Sequence, residues 1–130
     1  MWKKRIWMWM FGMMVLLLSL GIAASPESIE GLPLHIQKID TDVIRVWTGN
    51  YYQSTNVTAV ATDKGIVVID TTQIPKLDQA YRKIIARELG RDDFVYLINT
   101  HGHNDHTSGN GVYKDCKIVG HKNVEVLMKA

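Results

Sequence analysis

Cysteine is nearly absent: Cys116 stands alone in 130 residues, so no disulfide can form within the chain. A lone thiol with no upstream base is a poor nucleophile, and its place at the start of an apolar strand makes it a packing residue. An excess of charge of one sign is equally lacking. The formal net charge is +2, and Lys3, Lys4 and Arg5 precede every acidic residue, so beyond residue 24 the balance is slightly negative. That excludes the basic surface on which a nucleic-acid partner depends. Prolines are limited to Pro26, Pro33 and Pro75, and histidine is thin outside one cluster, with only His35 before it and His121 after it.

The one long apolar run is residues 6–24, behind the basic start Lys3-Lys4-Arg5 and ending in the small residues Gly21 to Ser25. This is the order of a secretory signal, cleaved near Ala23, Ala24 or Ser25; the run is also long enough to stay as an amino-terminal anchor. Trp2, Trp7 and Trp9 then sit near the membrane interface. Either way the remainder is expected outside the cytoplasm, periplasmic or secreted, or anchored to the outer face of the inner membrane. The membrane is touched only through residues 1–24. Residues 25–35, with Pro26, Gly31 and Pro33, read as a linker, and residues 36–130 as the folded part.

Within that part, residues 43–47 alternate and are β-branched, predicting a strand that ends at the bend Gly49-Asn50. Trp47, Tyr51 and Tyr52 suit sheet-edge packing better than a pocket wall. Residues 56–62 and 66–71 flank the turn Asp63-Lys64-Gly65. A helix is predicted over residues 75–89: Leu77, Tyr81, Ile84, Ile85 and Leu89 share a face, Pro75 suits its first turn and Gly90 its stop. Residues 94–98 and 116–119 read as further strands, and residues 123–129 as a helix with no stop signal, which points to truncation.

After residues 94–98 come His101-Gly102-His103-Asn104-Asp105-His106, four metal-ligand side chains in six residues. In extended chain His101 and His103 point the same way and can meet one ion, while Asp105 and His106 on the next bend can turn to a second. Helical neighbours lie three or four apart, so a loop at a strand end is expected. Imidazoles with a carboxylate and no thiolate suit zinc first, with iron or manganese also compatible. Two such ions about 3.5–4 Å apart activate water at neutral pH, and Asp105 can both ligate and orient that water or take its proton. Asp70, at the end of a strand, can accept hydrogen bonds from the loop backbone or from a ligand imidazole; it equally suits an ordinary turn. His35 reads as exposed, and His121 as a loop histidine or a neighbour that bonds the ligands from outside.

The run from Asn99 to Asn110 resembles the HxHxDH signature of metallo-β-lactamase-fold hydrolases, and residues 56–71 resemble that family's early hairpin, ending in an aspartate near the metal loop. The resemblance covers roughly residues 43–130 and implies an α/β chain that forms the amino-terminal half of an αββα sandwich. It implies that His101 and His103 bind the first zinc, and Asp105 and His106 the second. Histidine after the aspartate is shared with one β-lactamase subclass and with thioesterase, lactonase and ribonuclease relatives, so the motif does not single out β-lactams. Ser108 stands where glycine is usual. The family's later histidine, bridging aspartate and final histidine do not occur before Ala130; His121 comes too early. The expectation is an exported zinc hydrolase acting through metal-activated hydroxide on a small-molecule acyl-type bond, β-lactam, lactone or thioester, present as a fragment. Two other classes stay open: an inactive metal-binding fragment, and a di-iron redox module on the same fold.

Overall fold

The computed structural model describes residues 27–49 and 55–124. They form one seven-stranded sheet with the strands in chain order: β1 (Ser28–Ile29), β2 (Leu32–Asp40), β3 (Val43–Thr48), β4 (Val57–Thr62), β5 (Gly65–Ile69), β6 (Phe94–Asn99) and β7 (Lys117–Gly120). β1 to β5 are an antiparallel meander; β5, β6 and β7 run parallel. Parallel neighbours need a crossover. The first is α1 (Pro75–Leu89); the second is a one-turn helix, α2 (Asn104–Thr107), followed by a 3₁₀ turn, Ser108–Tyr113.

The helix has the bounds that its apolar period implies. Pro75 opens it, and at its end Gly90 N donates to Arg87 O while Arg91 N donates to Ala86 O, with Gly90 at φ 66. This paired closure satisfies carbonyls the last turn leaves free. Leu77, Tyr81, Ile84 and Ile85 are buried against Ile44, Val46, Val57, Ala59, Ile66, Val68 and Leu97 on one face of the sheet. Each such side chain contributes about 1.5–3 kcal/mol by leaving water.

The other face carries Val67, Ile69, Tyr96, Ile98 and Val119, in register across β5, β6 and β7. Among the described residues no layer covers it, and Tyr96, Ile98 and Val119 are exposed. Trp47 lies on this side too, stacked on His35 with ring centroids 4.9 Å apart and capped by Arg45 at 4.7 Å. His35 is therefore half-covered rather than free in solvent.

Two expectations need correction. Residues 27–33 are not a linker: β1 and β2 pair across Glu30 and Gly31, at φ 53 and 77. Two successive left-handed residues match the twist of a two-residue hairpin, so Gly31 marks a turn between strands. The metal-ligand run is also not loop throughout, since Asp105 and His106 lie on α2. The predicted leader, Tyr51, Tyr52 and the segment beyond Val124 lie outside the described residues; within them, no helix is long and apolar enough to cross a membrane.

Candidate metal centre

β5 and β6 are parallel neighbours, so both end on the same edge of the sheet, and the site is built there. Asp70 follows β5 at φ 61, a left-handed bend that aspartate tolerates better than most residues. The bend turns a buried carboxylate across to the end of β6. Its Oδ1 accepts from Thr100 N at 2.8 Å, and its Oδ2 accepts from Thr100 Oγ1 at 2.7 Å. Oδ2 also lies 3.0 Å from His106 Nδ1.

These contacts orient two imidazoles. A carboxylate oxygen only accepts, so the hydrogen between His106 and Asp70 sits on Nδ1, and Nε2 is the nitrogen turned toward Asp105. The Thr100 hydroxyl spends its one hydrogen on Asp70. Its contact with His101 Nδ1 at 3.0 Å is then donated by the ring, which leaves Nε2 free.

The three imidazoles stand together. The His101 ring centroid is 4.7 Å from that of His103 and 4.0 Å from that of His106. Asp105 Oδ2 lies 3.4 Å from His106 Nε2, with the Asp105 side chain half exposed. The donors fall as two neighbouring pairs, His101 with His103 and Asp105 with His106. Among the described residues, no three His, Cys, Asp or Glu side chains close around one point. The donor chemistry, imidazoles anchored through Nδ1 together with a carboxylate, fits zinc; the full count of ligands for an ion is not reached by these residues alone.

Beneath the loop lies a polar layer that the motif did not announce. The carbonyl of His106 accepts from Thr71 N and Thr71 Oγ1, both at 3.1 Å, and from Asn99 Nδ2 at 3.0 Å. Asn99 and Asn110 also exchange side-chain amide bonds at 3.1 and 2.8 Å. Thr107 Oγ1 and His106 N both hold the carbonyl of His103, and Thr55 Oγ1 donates to Asp105 O. A signal for part of this was available: Asn99 closes an apolar strand, and polar groups buried at such ends need partners. Asp78 had one as well, since it falls on the buried stripe of α1 three residues before Tyr81. Burial pushes its carboxyl up to about 6 despite bonds from Thr72 N and Oγ1.

The remaining candidates stay apart from the cluster. His121 is exposed and accepts from Asn123 N at 3.3 Å, and among the described residues no ring contact joins it to the three imidazoles. Cys116 is half-buried, its thiol pushed up first by burial and then by the Asp115 charge, which keeps it a thiol. Beside Asp105 and His106 opens a cleft of about 480 Å³, walled by Thr48, Thr55, Asn56 and Thr72 and floored by Leu32, Ile74 and Leu77.

Comparison with known proteins places this architecture. A family model described as the metallo-beta-lactamase superfamily matches residues 51–125. Among solved structures, a metallo-beta-lactamase from Hirschia baltica is 16% identical with a TM-score of 0.61, covering 75% of this chain and 47% of its own. One from Pontibacter korlensis is 24% identical with a TM-score of 0.60, covering 74% and 47%. The enzyme FIM-1 from Pseudomonas aeruginosa, in its mono-zinc form, is 12% identical with a TM-score of 0.62, covering 75% and 46%. At these identities the likeness shows the fold, and the chain spans about half the length of the structures it matches.

Proposed function

The chain belongs to the metallo-beta-lactamase superfamily, and from that premise we propose that it carries the metal-binding loop of an exported, zinc-dependent hydrolase of acyl-type bonds. In this reading His101 and His103 hold one zinc ion, and Asp105 and His106 a second. The observation that carries it is the pairing of donors at one sheet edge, with His101 and His106 both anchored through Nδ1. A catalytic zinc site takes about three protein ligands, so each pair needs a further donor from outside the described residues. Zinc held by these residues would lower the pKa of a water molecule to near 7 and so supply a nucleophile at neutral pH.

The chain's own residues do the rest. Asp70 fixes the His106 ring through Nδ1, and Thr100 links that same carboxylate to His101, so the two rings are set by one group. Asp105, half exposed and 3.4 Å from His106 Nε2, is placed to orient water or to take its proton at Oδ2. The cleft beside them offers hydroxyl and amide walls over an apolar floor, which suits an uncharged acyl group of a β-lactam, lactone or thioester. Export is carried by residues 1–24, read as a signal or anchor.

The test is metal analysis of the full-length protein with hydrolysis of a chromogenic β-lactam, a lactone and a thioester, before and after a chelator. Bound zinc and chelator-sensitive turnover of one substrate are expected. Iron with redox activity, or turnover that survives metal removal, contradicts the reading.

A further inference from the structure

Asp78 is a fully buried carboxylate on α1, on a stripe otherwise made of Leu77, Tyr81, Ile84 and Ile85. An acidic group in such a place is expensive unless it is used. Its bonds reach out of the helix: Thr72 N donates to Oδ1, and the Thr72 hydroxyl, which also meets Ile74 at the helix start, lies within bonding distance of Oδ2, both at 2.9 Å, so the carboxylate grips the chain just past β5. Thr71, the residue before, faces the other way. Its N and Oγ1 donate to His106 O, and its Oγ1 accepts from Gly109 N at 3.1 Å.

The carboxylate also meets the loop's return directly. A Cβ on Gly109 would stand 2.1 Å from Asp78 Oδ2 and 2.8 Å from Thr71 Cβ, so only glycine lets the 3₁₀ turn lie this close. One side chain of the helix therefore touches both strands of chain that fix His106: the exit of β5 on one side and the return at Gly109 on the other.

We infer that Asp78 is a positioning residue for the metal centre, setting the place of His106 from the helix through Thr71, Thr72 and Gly109. The inference rests on the reading that His106 binds a metal ion. A plain helix-stabilising role predicts a loss of stability and nothing else; positioning predicts a change at the imidazole and at the metal.

The experiment uses the full-length protein, with Co²⁺ affinity by chelator competition, the visible spectrum of the Co²⁺ form, and ring NMR of His106 in the metal-free state. Asp78→Ala is expected to weaken Co²⁺ at least tenfold, alter the visible bands and shift the His106 ring resonances. Asp78→Asn, which keeps an oxygen for Thr72 N, is expected to recover most of the affinity. Ile85→Val, which trims the same helix away from the loop, should leave all three readouts as in wild type. Wild-type readouts in Asp78→Ala, or equal changes in Ile85→Val, overturn the inference. If Asp78→Ala does not fold, Thr72→Val removes one of the two bonds and should move the readouts the same way by less; an unchanged spectrum and ring there overturn it equally. A wild-type protein that takes up no cobalt fails the metal reading itself, a result separable from the failure of Asp78.

Discussion

The underside of the metal loop and its upper side are built on opposite principles. Below, Asp70, Thr71, Thr72, Asp78, Asn99 and Asn110 are all buried, and they bond one another, Thr100 and the loop backbone. Above, His101, His103, Asp105 and His106 are partly or fully exposed, with few bonds, and the His101 and His106 rings are anchored through Nδ1. Buried polar groups are costly when a partner is lost, while exposed ones are replaceable. On the proposed reading, the lower layer therefore sets the shape and the upper layer holds the metal. Substitutions below should cost stability and, through the rings they position, metal as well; those above should cost metal with little stability.

The largest effect is expected at Asp70. Asp70→Ala strands Thr100 N and frees the His106 ring, costing about 3 kcal/mol of stability and about 10- to 100-fold in metal affinity; denaturant titration and chelator competition read the two. Should stability hold while metal affinity falls, Asp70 belongs to the upper side and the division fails there.

Asn110→Ala comes next. It breaks the reciprocal amide pair and leaves Asn99 half-served, for about 1–3 kcal/mol by the same titration. Little change would mean that the pair is ornament to a layer held by Thr71.

Asp78 gives the pH arm. Its carboxyl is raised in the folded state to about 6 from 3.8, chiefly by burial. A raised acid means that the folded state keeps its proton longer than the unfolded one. Its share of stability is thus full below about pH 4 and lost as pH rises through 6. Chelator-treated wild-type protein should lose stability over that window, and Asp78→Asn should flatten the loss. A profile that rises instead contradicts the assigned burial.

The smallest stability effect is expected above the loop. His103→Ala in metal-free protein should change stability by less than about 0.5 kcal/mol, because the ring is exposed and its backbone, not its side chain, is bonded. A larger loss would erase the contrast between the two sides.

The sequence showed the upper side well and the lower side poorly. Four ligand-type residues in six are visible in one line of letters, and the helix over 75–89 follows from an apolar period with proline and glycine at its ends. The parts that were missed depend on residues far apart in the chain. Thr71 meets His106 35 positions on, and Asn99 meets Asn110 only because the loop folds back over β6. The hairpin at Glu30-Gly31 was hidden for another reason: Pro33 lies near the start of β2, before its ladder to β3 begins at Leu34, where proline is tolerated, and it read as linker beside Pro26. The turn of helix under Asp105 was missed because Asp105 and His106 were given to a bend, and ligand spacing without a three- or four-residue repeat argued against any helix.

The central claim is that the upper side holds metal, and it is tested most directly by counting zinc. The full-length protein and its His101→Ala, His103→Ala double variant are loaded, desalted and weighed by native mass spectrometry, with circular dichroism to show that both are folded. The account predicts a folded double variant that has lost at least one of the zinc ions the wild-type protein retains. A folded double variant with its full zinc complement would contradict it.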